Sequence, residues 1–207
     1  MQNLTCNFVK SQTNITIFVT NQKQKNMSNE LEQQILDLQK KIGKIEKGTK
    51  DQLSMVVFSG DLDKILAAMI ISTGAAAYDM KVKLFFTFWA TAALRDPGKS
   101  VTGKNFLGKM FGMMLPKGMN KIKLSKMHMM GMGTSMIKDL MKKKKVASLP
   151  EMFKTAGELG VEINICEMSM DLMGFKREEM IDYPQMKVCG VATFLADAQE
   201  SKVQLFI

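Results

Sequence analysis

The chain of 207 residues contains little histidine and little cysteine. Its single histidine is His128, and its three cysteines, Cys6, Cys166 and Cys189, show no C-x-x-C spacing. So few nitrogen and sulfur ligands argue against a zinc site of the usual type, and we predict no metal. The odd number of cysteines argues against a closed disulfide framework, and free thiols are typical of a reducing compartment. We therefore expect a cytoplasmic protein.

The chain also lacks a long apolar run. The longest, residues 65–78, covers 14 residues and includes Ser72, Thr73 and Gly74. A membrane-spanning helix needs roughly 18–20 apolar residues, so we predict a core helix here.

Arginine is scarce, although the chain is basic overall. It has 29 lysines and arginines against 20 acidic residues, a net charge of +9, yet its only arginines are Arg95 and Arg177. Four positive charges are consecutive, at Lys142–Lys145. Aromatic residues are not interleaved with basic ones as they are in RNA-recognition modules. We therefore predict a solvated lysine run and no nucleic-acid partner.

A nucleotide-binding loop is missing as well. Residues 98–100, Gly-Lys-Ser, resemble the end of a P-loop, but Ala93 occupies the position of its first glycine and Pro97 interrupts the loop. A P-loop needs that earlier glycine to bring its backbone close to the phosphates. We therefore predict neither a bound nucleotide nor another cofactor.

Two segments precede the part of the chain that has the pattern of a folded domain. We predict that residues 1–27, rich in Asn, Gln and Thr, are a disordered tail or an over-extended gene start, with Met27 as a natural first residue. Residues 28–50 predict an amphipathic helix with the four- and three-residue spacing of a heptad seam. Its apolar residues are Leu31, Ile35, Leu38, Ile42 and Ile45. An oligomerisation helix and a helix packed on its own domain both remain open.

Residues 51–207 have the pattern of an α/β domain. Leu53–Phe58 is a continuous apolar run, as in a buried parallel strand, and a helix rich in small residues follows over Leu62–Asp79. Lys81–Trp89 predicts a second strand. Strand, helix and strand in succession imply a right-handed parallel crossover.

The last part of this domain repeats the alternation of helices and strands. Pro150–Leu159 predicts a helix that Ser148 caps, because serine and an early proline are typical of a helix start. Cys189-Gly190 predicts the start of another helix, and Val203–Ile207 predicts a C-terminal strand.

Residues 104–145 form an inserted region rich in methionine, glycine and lysine. Ten of the 21 methionines fall between Met110 and Met141, and flexible thioether side chains suit an adaptable surface for a partner. We predict a partner-binding surface around His128. Its methionines are Met127, Met129, Met130 and Met132. A soft metal such as Cu(I) would also suit these side chains, but they form no repeated motif, so we predict packing or an interface.

One cysteine stands between a predicted strand and a predicted helix. The strand is Val161–Ile165, Cys166 follows it directly, and Met168–Met173 predicts a short helix. The positive field at a helix start stabilises a thiolate and makes sulfur more nucleophilic. Cys166 is therefore the candidate reactive residue, with Ser169 and Asp171 as candidate caps and substrate contacts. A small buried apolar residue is the alternative reading of Cys166.

A second candidate site follows the first strand. Ser59, Gly60 and Asp61 lie at the carboxyl end of that strand, where α/β folds place ligand sites. The same residues are typical of a turn and a helix cap. A substrate contact and a purely structural role both remain open.

Four stretches of the sequence resemble the DsrE/DsrF-like family, and in particular its longer branch, which is often labelled peroxiredoxin-like. They are LSMVVFSGDLDK, KLSKMHMMGMGTSMIKDLM, SLPEMFKTAGELGVEINICEMSMDLMG and GVATFLADA with the final LFI, running from about Leu53 to Ile207. The resemblance implies a flavodoxin-like parallel sheet flanked by helices and a homo-oligomer. It also implies a role in carrying sulfane sulfur in the cytoplasm, together with rhodanese and TusA-type carriers.

The resemblance also implies which cysteine carries sulfur. In that family it follows a sheet strand, and Cys166 is the matching position, which implies a sulfur carrier or a persulfide sulfurtransferase. Cys189 is a candidate resolving thiol if it lies close to Cys166. The chain has no peroxidatic P-x-x-x-T-x-x-C pattern. Only the label peroxiredoxin-like would therefore support a peroxidase function.

The rival hypothesis is a non-catalytic oligomeric binding module. Such a protein would use the methionine-rich surface to hold a partner chain. The adjoining lysine run leaves association with a membrane surface open, although we do not favour it.

Overall fold

The computed structural model describes residue 27 and residues 31–43, 50–101 and 106–207. The predicted tail before Met27 and the start of the methionine-rich region lie outside the described residues.

The first compact unit of the chain, Met1–Gly48, contains helix α1, residues 31–43. The apolar residues of the heptad seam that fall within α1 are all exposed, and Lys41 pairs with Asp37 (Nζ to Oδ2 2.8 Å). Ile45, the last residue of the predicted seam, lies outside the described residues. An oligomerisation helix and a helix packed on its own domain both stay predictions.

The second unit, Thr49–Ile207, is built on a parallel sheet. Its strands are β1 (Lys50–Val57), β2 (Lys81–Phe86), β3 (Glu162–Cys166), β4 (Met186–Cys189) and β5 (Ser201–Phe206). They lie in the order β4-β3-β2-β1-β5, and each neighbouring pair is parallel. The predicted parallel sheet flanked by helices is confirmed, with a strand order that differs from the 2-1-3-4-5 order of flavodoxin itself.

Helices flank this sheet. They are α2 (Leu62–Ala77), α3 (Phe106–Met114), α4 (Met132–Lys143), α5 (Leu149–Glu158), α6 (Glu167–Met173) and α7 (Val191–Gln199). In the part of the chain that the structure describes, no helix has the length and apolarity that a bilayer crossing requires.

Strand β2 and the region of β4 differ most from the sequence-based prediction. β2 ends at Phe86 and not at Trp89, because Phe88 has a φ of +44° and begins a 3-10 segment, Phe88–Leu94. β4 was not predicted, since it has four residues and its central side chains are exposed at the sheet edge. The helix predicted to start at Cys189-Gly190 begins at Val191, directly after β4.

The strand order decides which face of the sheet each helix covers. Strands β2, β3 and β4 follow one another on one side of β1. The connection from β4 to β5 runs in the opposite direction, because β5 lies on the other side of β1. Because parallel crossovers are right-handed, α7 must lie on the face opposite to α5. Ring contacts agree: Phe85 stacks on Phe194 of α7 (centroids 5.2 Å apart), and the next residue, Phe86, packs on Phe153 of α5 (6.1 Å).

Candidate functional site

The carboxyl ends of the parallel strands meet at one edge of the sheet, and the candidate residues follow these ends. Ser59–Asp61 comes after β1, Thr87 after β2, and α6 after β3. Cys166 and Cys189 are the last residues of β3 and β4. Ligand sites of open α/β sheets lie at this edge.

Cys166 occupies the junction between strand β3 and helix α6. It is the N-cap residue of α6, with a φ of −67° and a ψ of 115°, and it is only 4% exposed. The predicted strand-to-helix junction is therefore confirmed, but the predicted caps are wrong. Cys166 itself holds the cap position, Ser169 lies three residues into the helix, and Asp171 is exposed beyond its first turn.

The polar groups around the Cys166 sulfur favour its thiolate form. Burial has the largest single influence and raises the pKa of the thiol, but hydrogen bonds outweigh it and hold the pKa below its ordinary value. The donors are the hydroxyl and backbone N–H of Ser169, the hydroxyl of Thr87 and the backbone N–H of Met168. Hydrogen bonds to the charged form favour it, so the Cys166 thiol ionises at a lower pH than an ordinary thiol.

The two hydroxyls that face the sulfur are held in place by each other. Ser169 is fully buried, its Oγ lies 2.9 Å from Thr87 Oγ1, and it accepts a hydrogen bond from the Phe88 N–H (3.0 Å). Two hydroxyls carry two hydrogens, and one of these bridges the two oxygens. The other is left to donate to the sulfur of Cys166. Sequence reasoning missed Thr87, because no motif marks a threonine that a different strand supplies.

The structure places Cys189 beside Cys166. The two residues are register partners on the neighbouring strands β3 and β4, and such strands lie roughly 4.7–4.9 Å apart. Paired residues of parallel strands project from the same face, so both side chains lie on the face that α7 covers. Both cysteines are free thiols.

The pKa of Cys189 shifts in the opposite direction to that of Cys166. Burial is the main cause that raises the pKa of Cys189, and the negative charges of Asp197, Cys166 and Glu167 raise it further. The hydroxyl of Thr193 acts against this shift. The site therefore pairs a thiol of lowered pKa with a thiol of raised pKa.

The turn after β1 lies apart from the two cysteines. Ser59 Oγ donates to Asp61 Oδ2 (2.8 Å), and these residues line a cavity of about 260 Å³ together with Trp89 and Lys123. β2 lies between β1 and β3, so Ser59, Gly60 and Asp61 are two strands away from Cys166. The structural role is visible in this turn, and a substrate contact stays a prediction.

Gly60 approaches the backbone of Trp89 closely, and this contact predicts a large effect of substitution. A Cβ atom at Gly60 would lie 2.6 Å from the carbonyl oxygen of Trp89. We expect Gly60→Ala to lower the free energy of unfolding by about 1–3 kcal/mol, because a rigid backbone cannot move aside without strain. The midpoint of urea unfolding measures this change.

Gly74 provides the matched control for this substitution. It lies in α2, where a Cβ atom would have no other atom within 4 Å, and alanine is the better helix former by roughly 0.5–1 kcal/mol. Gly74→Ala should therefore be neutral or stabilising. Equal midpoints for the two variants would contradict a tight contact at Gly60.

The methionine-rich region exposes four neighbouring side chains to solvent. We define this methionine surface as Met127, Met129, Met130 and Met132. Each of its side chains is at least 62% exposed. His128 between them is half-buried, and its Nδ1 lies 2.9 Å from the hydroxyl oxygen of Thr134. Nowhere in the described ranges do three or more His, Cys, Asp or Glu residues form a group that could hold a metal ion.

Comparisons with known proteins point to one family. The model of the DsrE/DsrF/DrsH-like family matches residues 49–206. The chain is 49% identical over 154 residues to the Bacillus subtilis protein named Uncharacterized protein YrkE, covering 74% of this chain and 95% of that protein. It is 35% identical over 161 residues to the Sulfur carrier protein DsrE2 of Allochromatium vinosum, covering 75% and 98% of the two chains.

A solved structure is also similar. The crystal structure of the ychN protein from E. coli matches with a TM-score of 0.44 at 10% identity, over 77% of this chain and 99% of that chain. The family match covers the chain from β1 to β5, including the junction at Cys166 and its neighbour Cys189. This chain belongs to the DsrE/DsrF/DrsH-like family.

Proposed function

We propose that this protein is a sulfur carrier that holds sulfane sulfur as a persulfide on Cys166. The observation that carries the proposal is the position of Cys166 as the N-cap residue of α6, beside the paired hydroxyls of Ser169 and Thr87, which help to hold its pKa below the ordinary value. The relative from Allochromatium vinosum, which is named a sulfur carrier protein, supports the same class of function.

The proposed chemistry consists of two sulfur exchanges. The Cys166 thiolate attacks the outer sulfur of a persulfide or thiosulfonate donor, and the bond from that sulfur to the donor breaks with its electron pair leaving on the donor. An acceptor thiolate then attacks the outer sulfur of the Cys166 persulfide and expels the Cys166 thiolate. Neither step changes the net oxidation state, and both are favoured by a low pKa at Cys166, which ionises the nucleophile and later stabilises the leaving group.

The neighbours of Cys166 have defined roles in this proposal. The hydroxyl pair of Ser169 and Thr87, together with the backbone N–H groups of Ser169 and Met168, donates hydrogen bonds to the thiolate before uptake and again when it leaves. The lowered pKa of the Cys166 thiol reduces the need for a separate base. Asp171, exposed on α6, is available to contact a donor or an acceptor.

Uptake and delivery test this proposal. The protein is incubated with glutathione persulfide, the donor is removed, and a small thiol acceptor is added. We expect the intact mass to increase by one sulfur atom and to return to its starting value when the acceptor is added. A protein that never gains this mass would contradict a persulfide carrier.

We further propose that the protein exchanges sulfur with rhodanese and TusA-type carriers and that it forms a homo-oligomer. Family membership supports both, and apolar side chains at the edge strand β5 support self-association, since Phe206 is 70% exposed and Val203 and Leu205 are partly exposed. Sedimentation of the full chain measures the oligomeric state.

We also propose that the methionine surface binds a partner protein, as the binding-module hypothesis states, because its apolar side chains are exposed to solvent. We expect a variant with serine at Met129, Met130 and Met132 to deliver sulfur to a small thiol normally. The rate of delivery to a TusA-type protein should fall at least about tenfold, because a loss of roughly 1.4 kcal/mol of binding free energy weakens binding by that factor. Rates of transfer from the loaded protein measure both.

Met113→Ser is the control for this variant, because Met113 is also exposed but lies on α3. Its delivery to both acceptors should equal that of the wild type. Equal loss in Met113→Ser, or no loss in the triple variant, would show that the methionine surface does not bind the acceptor.

A further inference from the structure

We infer that Cys166 and Cys189 form a dithiol site at which Cys189 releases the sulfur held on Cys166 as hydrosulfide. This inference rests on the proposed persulfide at Cys166. It adds a second outcome to sulfur uptake, since the sulfur is either delivered to an acceptor as sulfane sulfur or released in reduced form.

The geometry of the two strand ends carries the inference. Cys166 and Cys189 are register partners on adjacent parallel strands. Their strand spacing of roughly 4.7–4.9 Å falls within the Cα separation of about 4.4–6.8 Å that a disulfide bridges. Both side chains project from the same face, and the charge of Cys166 is one of the causes that raise the pKa of Cys189.

The exposure of the two thiols differs in a way that suits a resolving role. Cys166 is buried, whereas Cys189 is partly exposed at the end of the edge strand β4. Cys189 can therefore approach the inner sulfur of a Cys166 persulfide from the neighbouring strand, while the buried position restricts access of bulky external thiols to that inner sulfur. An external acceptor meets the outer sulfur instead.

The charged groups around Cys189 affect how readily its thiol ionises. Glu167 from α6 and Asp197 from α7 face it, and Asp197 also pairs with Lys83 of β2. Lys187 lies two residues earlier on β4, exposed to solvent. Burial and negative charge raise the pKa of Cys189, which disfavours its thiolate and so favours retention of the persulfide for delivery.

The release step is balanced in atoms and electrons. Cys189 loses its proton and its thiolate attacks Cys166 Sγ, the inner sulfur. The bond from Sγ to the outer sulfur breaks, and the outer sulfur leaves with the electron pair and takes up a proton as hydrosulfide. The outer sulfur is reduced by two electrons, and the two cysteine sulfurs are oxidised to a disulfide. An external dithiol then reduces the disulfide and restores the site.

Loaded protein tests this inference. Full-length Cys6→Ser protein is loaded with glutathione persulfide, freed of donor and incubated without reductant. We expect hydrosulfide and a Cys166–Cys189 disulfide to appear together. Trypsin places the two cysteines on separate peptides, 155–176 and 188–202. The mass of these two peptides joined together therefore identifies the disulfide.

The variant Cys6→Ser/Cys189→Ser is the matched comparison. We expect it to load equally but to keep its persulfide at least about tenfold longer, because a serine hydroxyl cannot replace the attacking thiolate. Equal persulfide lifetimes, or sulfur that moves to peptide 188–202 without a disulfide, would overturn the inference and leave the carrier proposal intact. A protein that takes up no sulfur at all would overturn both.

Discussion

Cys166→Ser is expected to abolish sulfur uptake. Serine is close to cysteine in size, but its hydroxyl does not ionise near neutral pH and cannot act as the thiolate nucleophile. The donors around Cys166, which come from Ser169, Thr87 and Met168, stabilise a thiolate and have no such anion to act on in the variant. The measurement is the intact mass after incubation with thiosulfate, tetrathionate or glutathione persulfide.

Cys189→Ser is the matched control, because it removes the neighbouring thiol and leaves Cys166 in place. It should still gain a sulfur mass that a dithiol removes. An adduct that persists in Cys166→Ser would assign uptake to another residue. Absence of any adduct in the wild type, with Cys166 also resistant to alkylation, would favour the binding-module hypothesis.

Ser169→Ala is expected to slow alkylation of Cys166 at neutral pH by at least about tenfold, because a hydrogen bond to a charged group is worth roughly 1.5–3 kcal/mol. Iodoacetamide reacts with the thiolate, so its rate rises with pH and levels off above the pKa of the thiol. In the wild type the lowered pKa of Cys166 places this plateau at lower pH than for an ordinary thiol. Loss of the Ser169 hydroxyl should move the profile to higher pH.

The second cysteine and a second serine provide controls. The pKa of Cys189 is raised by burial and by nearby negative charge, so its alkylation should require higher pH than that of Cys166 in the same sample. Ser72→Ala removes another fully buried serine hydroxyl, which donates to the Ala68 carbonyl within α2 (2.6 Å). It should lower stability without moving the Cys166 profile. A similar shift in both serine variants would indicate a general loss of packing.

Local patterns in the sequence determined the class of the fold and the strand-to-helix position of the candidate cysteine, Cys166. The apolar run of β1, the small-residue helix α2 and the second strand predicted a parallel crossover, because each element depends mainly on residues close together in the chain. The strand-to-helix junction at Cys166 is local in the same sense. The capping prediction failed only in detail, since the cysteine itself took the place expected for Ser169 or Asp171.

Tertiary structure alone decided which residues surround Cys166. Thr87 and Cys189 lie 79 and 23 residues away along the chain, and they reach the sulfur because β2 and β4 flank β3. The same order separates Ser59, Gly60 and Asp61 from the cysteine by one intervening strand. Strand order and register depend on packing between distant segments, which no short sequence pattern records. The sequence therefore identified Cys166 as the candidate nucleophile, whereas only the assembled sheet supplied its hydrogen-bond donors and its neighbouring thiol.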